Sequence, residues 1–137
     1  MSGRGAVELG ENADGLRMRR AYLALQGAAV FVWWALIGLV PAARQPFLPL
    51  RAPSSVWYAF LVPDCVVLGA GSLACARLWR VGAPPPALWV VAGALWYTTA
   101  YVLGLWLSGE LTVPGPVLMT LASLGTAWAV WAPGARR

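Results

Sequence analysis

The chain has no histidine and few charged residues of any kind. Only 11% of its 137 residues are charged, five of them acidic, and its ten basic residues are all arginine. Histidine is the commonest metal ligand and a frequent general base, and metal sites need several donors close together. With no histidine, no CxxC pair and a single carboxylate in an apolar run, we expect no metal, no haem, no other cofactor and no catalytic residue.

Cysteine is also scarce. Cys65 and Cys75 are the two cysteines, and both fall in the same apolar run. On a helix, a rise of 1.5 Å per residue separates them by ~15 Å, far beyond the reach of a disulfide. We therefore expect no disulfide framework and interpret both residues as small packing side chains.

Long apolar runs dominate the sequence instead. The chain is 60% hydrophobic with a mean hydropathy of +0.67, which is typical of an integral membrane protein. Crossing ~30 Å of hydrocarbon takes ~20 apolar residues, and the runs are continuous where a β-barrel would alternate. The predicted fold class is an all-α membrane protein, a bundle of four transmembrane helices. The predicted helices cover residues 21–41, 56–79, 86–107 and 115–132.

Polar segments flank these runs. Residues 1–20 are rich in glycine and mixed in charge, which predicts a disordered tail, and residues 133–137 form a short C-terminal tail. Positive charge marks cytoplasmic segments, so arginine placement puts both termini in the cytoplasm and the protein in the plasma (inner) membrane as a multi-pass protein. The arginines on that side are Arg4, Arg17, Arg19, Arg20, Arg77, Arg80, Arg136 and Arg137.

The all-arginine basic set and high Ala and Gly content favour a bacterial, GC-rich source.

The first apolar run resembles a signal peptide in following a basic segment. Its length exceeds the roughly 7 to 15 apolar residues of a cleaved signal, so we expect an uncleaved helix. Met18, followed by Arg19 and Arg20, would also serve as a start of translation, and the sequence leaves Met1 and Met18 both open.

Asp64 is the most informative residue, because it lies inside the second apolar run directly after Pro63. A charge at the bilayer centre costs roughly 2.5 kcal/mol or more, so a partner must compensate for it. Pro63 lacks an N–H and leaves the carbonyl of Ala59 without its helical donor, which favours a cavity at this level.

Counting the helical rise from each helix end places further polar and aromatic side chains near the depth of Asp64. Tyr101 is the expected donor to Asp64, followed by Thr98, Thr99 and Tyr97, because Tyr97 and Tyr101 share a helix face with small residues. The candidates for ligand binding or proton carrying are Asp64, Tyr97, Thr98, Thr99, Tyr101, Trp33, Trp34 and Ser123.

Three interpretations of Asp64 stay open. It is a protonated, hydrogen-bonded side chain that sets the register of two helices, a ligand or proton contact in an outward-facing pocket, or an interfacial N-cap of a helix that starts at Pro63. Small residues at 69–76 form a close-packing face, used within the bundle or in a homo-oligomer or larger membrane complex.

Three functions follow from these features. The favoured one is a non-catalytic membrane protein, acting as a subunit of a complex or as a binder of a lipid or other apolar ligand in an outer-leaflet pocket near Asp64. The alternatives are an oligomeric proton- or ion-coupled transporter that uses Asp64, and a membrane-embedded lipid-modifying enzyme. The expected partner is the lipid bilayer, and the net charge of +5 does not call for nucleic acid.

Overall fold

The computed structural model describes residues 3–44, 47, 54–80 and 84–131, and the side chains of residues 1–12 and 51–57 lie outside that description. The protein is helical. Its elements are α1 (Gly3–Leu39), a 3₁₀ turn (Pro41–Ala43), α2 (Ser54–Pro63), a π-helical segment (Asp64–Ala70), α3 (Gly71–Leu78), α4 (Ala87–Leu107) and α5 (Pro114–Trp131). Residues 54–78 run on as one helix through α2, the π segment and α3, and we call them the second span.

Three helices are long and apolar enough to cross a membrane. They cover Ala13–Leu39, Tyr58–Leu78 and Ala87–Leu107. These correspond to the first three predicted runs, and the protein is therefore a helical, membrane-compatible one. The fourth predicted run forms α5, which has 18 residues and is not among these three. The predicted tail at residues 133–137 lies outside the described residues.

The N-terminal segment differs from the expected disordered tail, because α1 begins at Gly3 and continues without a break into the first apolar run. Contacts to the second span explain the order of its last turn. The Arg20 Nε donates to the Ala76 carbonyl oxygen at 2.7 Å, and the guanidinium of Arg19 lies 5.9 Å from the ring centre of Trp79. Leu16 packs against the buried core.

The core lies at the arginine-rich end of the helices. There the middle of α1, the C-terminal half of α3, the start of α4 and the end of α5 bury apolar side chains against one another. The buried cluster consists of Leu23, Cys75, Ala76, Trp79, Leu88, Val91, Ala92, Ala129 and Val130.

The small-residue face at 69–76 is used within the chain. A Cβ atom placed on Gly27 of α1 would lie 2.7 Å from the Gly69 carbonyl oxygen, so the two backbones touch. Ser72, Cys75 and Ala76 are buried in the same packing. This close approach holds α1 against the second span and so positions the side chains in the C-terminal half of α1.

The turn that ends α4 is closed by a glycine. Gly109 has a φ of +77°, and its N–H donates to the Trp106 carbonyl while the next N–H, of Glu110, donates to Leu105. This is the Schellman pattern of a helix C-terminus. It returns the chain so that α5 packs antiparallel along α4, with Ser123 against Thr99 and the ring of Trp131 6.4 Å from that of Trp89.

Candidate functional site

The π segment begins at Asp64, directly after Pro63. A proline cannot donate the backbone bond of an α-helix, and here the bonding shifts to a wider pattern, in which the Gly71 N–H donates to Val66. Insertions of this kind occur frequently at functional sites. Phe60, Asp64 and Leu68 consequently lie along one face of the second span, and all three line a cavity.

This cavity has a volume of about 450 Å³ and lies between α1 on one side and α4 and α5 on the other. The π segment closes it from a third side. Its lining residues are Tyr22, Leu25, Gln26, Ala29, Val30, Trp33, Trp34, Phe47, Phe60, Asp64, Leu68, Leu95, Thr98, Tyr101, Val102, Leu111, Gly115, Leu118, Met119, Leu121 and Ala122.

Asp64 accepts a hydrogen bond from the indole of Trp34, whose Nε1 lies 3.3 Å from Oδ2. The prediction that Tyr101 is the donor is wrong. Tyr101 also lines the cavity, but it packs against Phe60, with ring centres 5.6 Å apart. Tyr101 lies on α4, which meets the π segment less extensively than α1 does, so the donor to Asp64 comes from α1. Among the described residues, Trp34 is the one hydrogen-bond partner of Asp64.

Two further candidates reach the cavity. Trp33 lines it and meets Phe47 edge to face, with ring centres 4.1 Å apart. Thr98 lines it too, and its hydroxyl donates to the Ala94 carbonyl of its own helix at 2.9 Å. A hydroxyl satisfied in this way needs no ligand, so Thr98 contributes a mostly apolar surface.

Three candidates lie elsewhere. Thr99 and Ser123 are buried and share a hydrogen bond of 2.6 Å that joins α4 to α5. Tyr97 is 71% exposed, so the expectation that it faces the bundle beside Tyr101 is wrong. The buried stripe of α4 instead contains Leu88, Val91, Ala92, Leu95 and Thr99.

A buried polar network, which was not predicted from the sequence, lies at the floor of the cavity. Gln26 donates to the Ser72 hydroxyl at 3.1 Å and accepts from the Thr126 hydroxyl at 2.8 Å. Tyr22 donates to the Ala122 carbonyl at 2.6 Å. The sequence did contain a signal for this network. Tyr22 and Gln26 are four residues apart and share a helix face, and hydroxyl side chains occur at a matching depth on other helices.

The cavity holds one carboxylate and no basic side chain among the described residues that line it. The neighbouring Arg44 is engaged at the end of α1, where its guanidinium donates to the carbonyls of Ile37 and Gly38 at 2.7 and 2.9 Å. In the part of the chain that the structure describes, no three Cys, Asp or Glu side chains meet as a metal-ligand set. The site therefore offers an apolar, aromatic space with a single acidic group.

Comparisons with known proteins give no relative from which to infer the function of this site. A scan against protein-family models and searches of curated proteins and of solved structures found no match.

Proposed function

We propose that this is a small, non-catalytic, multi-pass membrane protein that binds a lipid or another apolar ligand in the cavity beside Asp64. The observation that carries the proposal is the cavity itself. Its volume of about 450 Å³ falls within the roughly 300 to 1,000 Å³ of ligand sites, which are mostly apolar with a few polar groups. Asp64 and Trp34 supply those polar groups.

The position of the cavity mouth supports a ligand that comes from the bilayer. α1 and α5 meet at the core end, where Tyr22 bonds Ala122. Beyond that contact, Leu25 and Leu121 line the cavity and are 71% and 59% exposed. Exposed leucines at a membrane-buried opening face acyl chains, so an apolar molecule reaches the cavity sideways without crossing water.

We propose further that all four long helices span the plasma (inner) membrane of a bacterium as a bundle, with both termini cytoplasmic. The support for a spanning α5 is its antiparallel packing along α4, from Ser123 at Thr99 to Trp131 at Trp89. Arginine placement supports the orientation. A reporter fused after residue 137 should be active only in its cytoplasmic form. Activity only in the extracytoplasmic form would contradict a cytoplasmic C-terminus and with it this topology.

Transport is the alternative that one observation favours. Gln26 lines the cavity and bonds Ser72 and Thr126, so polar groups continue from the cavity toward the arginine-rich end. A proton or ion would use Asp64 and this network in turn, within an oligomer. In proteoliposomes, wild-type protein would then dissipate a proton or cation gradient and Asp64→Asn would not. An equal leak from both proteins would remove this alternative.

Occupancy of the cavity tests the main proposal. Ala29 and Leu118 line opposite walls, while their chain neighbours Ala28 and Val117 are exposed and do not line the cavity. A double variant with tryptophan at Ala29 and Leu118 should lose the lipid that co-purifies with wild-type protein in native mass spectrometry. The matched double variant with tryptophan at Ala28 and Val117 should keep it. Equal retention by the two variants would contradict binding in the cavity.

A further inference from the structure

The side chains that line the cavity indicate which class of ligand it binds. This inference rests on the proposed function. Asp64 is the one carboxylate among the described lining residues, and within the described part of the chain it receives a single hydrogen bond, from Trp34. An ionised carboxylate in apolar surroundings is stable only when it is paired with a positive charge and hydrogen-bonded. One indole N–H satisfies one oxygen and supplies no charge.

Among the described residues, no basic side chain lines the cavity. Arg44, the arginine at the same end of α1, is held by two main-chain carbonyls. Arg20 donates to Ala76, and Arg19 lies over Trp79 at the opposite end of the bundle. None of these three lines the cavity. As far as the described residues go, a counter-charge that keeps Asp64 ionised therefore comes from the ligand.

Aromatic rings surround the same space. Five aromatic side chains line the same cavity as Asp64, from α1, the second span, α4 and the connection after α1. The faces of such rings attract cations, most strongly ammonium groups that have lost their water. The five are Trp33, Trp34, Phe47, Phe60 and Tyr101.

The residues at the mouth of the cavity indicate the chemistry of the part of the ligand that lies away from Asp64. Leu25, Leu118 and Leu121 line it and are exposed where the surroundings are lipid. A ligand that spans from these residues to Asp64 has an apolar body and one polar end.

We infer that the cavity binds an amphiphilic cation, an alkyl or aryl amine or a quaternary ammonium compound, with its charged group beside Asp64 among the aromatic rings and its apolar body between α1 and α5.

Three photoactivatable probes with the same alkyl chain test this inference: dodecyltrimethylammonium, dodecanol and dodecanoate, each carrying a diazirine. They are added at equal bilayer fraction to the wild-type full-length protein in nanodiscs, and crosslinked peptides are quantified by mass spectrometry. Labelling of the α1 and α5 lining residues by the cation should exceed that by the alcohol or the carboxylate by about tenfold, as a charge-assisted contact predicts. Asp64→Asn keeps an acceptor for Trp34 and should remove the preference. Asp64→Glu should retain it.

The results separate the two levels of the proposal. Equal labelling of the cavity by cation and alcohol in wild-type protein overturns the inference and leaves an apolar-ligand site in place. No labelling of the cavity-lining residues above that of exposed residues outside the cavity, such as Val90 and Tyr97 of α4, overturns the proposed function as well. The wild-type comparison decides both outcomes, so the test does not depend on the folding of any variant.

Discussion

Gly27 lies at a close contact between α1 and the second span. A Cβ atom there would lie 2.7 Å from the backbone oxygen of Gly69 and 2.8 Å from Cγ of Leu73, whereas ordinary van der Waals contact begins at 3.4 Å. A side chain could rotate away, but the Gly69 oxygen belongs to the helix backbone. Gly27→Ala must therefore push α1 away from the π segment.

The size of the effect follows from this geometry. Overpacking a tight contact costs about 1 to 3 kcal/mol, and the rigid backbone partner places Gly27→Ala toward the upper end. Gly93, in the middle of α4, is the matched control, because a Cβ atom there meets nothing within 4 Å. Alanine in a helix interior is favoured over glycine by roughly 0.5 to 1 kcal/mol, so Gly93→Ala should be neutral or stabilising. We expect the two variants to differ by about 2 kcal/mol or more.

Reversible unfolding in mixed micelles, with SDS as the denaturant and circular dichroism as the signal, measures this difference. The same displacement should separate Trp34 from Asp64, since both flank the same helix contact. Gly27→Ala should therefore also weaken labelling of the cavity by the alkyl probes. Equal unfolding midpoints for Gly27→Ala and Gly93→Ala would refute the close packing of α1 on the π segment.

The remaining predictions use the same unfolding assay. Thr126→Val keeps the side-chain shape but removes the donor to Gln26, and should destabilise the protein by about 0.5 to 2 kcal/mol, in the range of interhelical hydrogen bonds in membranes. Gly125→Ala should cost more, because its Cβ would lie 2.5 Å from the ring of Tyr22; an unchanged midpoint would contradict the α1–α5 contact. Gly109→Ala should cost roughly 1 to 2 kcal/mol through its left-handed φ, and Gly109→Asn less, since asparagine tolerates that conformation. A larger loss of stability in Gly109→Asn than in Gly109→Ala would contradict the left-handed conformation of Gly109.

Composition and hydropathy were enough to predict the helical architecture. Apolar runs of sufficient length have few alternatives in a membrane, where every backbone group must be bonded within its own helix. The predicted boundaries of α4 and α5 differ from the structure by one residue at most. The start of α1 could not be predicted in this way, because contacts such as Arg20 with Ala76 belong to tertiary packing and leave no periodic signal.

Helical rise grouped Trp34, Tyr101 and Thr98 with Asp64, and all four line one cavity, but it did not identify the donor to Asp64. Rise along a helix locates a side chain in one dimension, and Trp34, Tyr101 and Thr98 all pass that criterion. Choosing among them requires the rotation of each helix about its axis and the identity of its neighbours. The close contact of Gly27 with Gly69 decides this in favour of α1, and a pair of glycines in separate runs does not reveal that they meet.

The π segment explains why helical periodicity could not reveal the cavity face of the second span. Phe60, Asp64 and Leu68 line the cavity, and Ser72 and Ala76 continue the same spacing of four into the polar network and the core. In an α-helix, each step of four residues overshoots the turn by about 40°, so these side chains would spiral around the helix. A π-helical stretch has more residues per turn and cancels much of that drift. Pro63 removes the backbone donor at the point where the wider turn begins. The missing N–H of Pro63 and the π-helical turn that follows it therefore explain the position of Asp64. The same change in backbone bonding directs Asp64 toward the cavity and leaves Ser72 in hydrogen-bonding reach of Gln26.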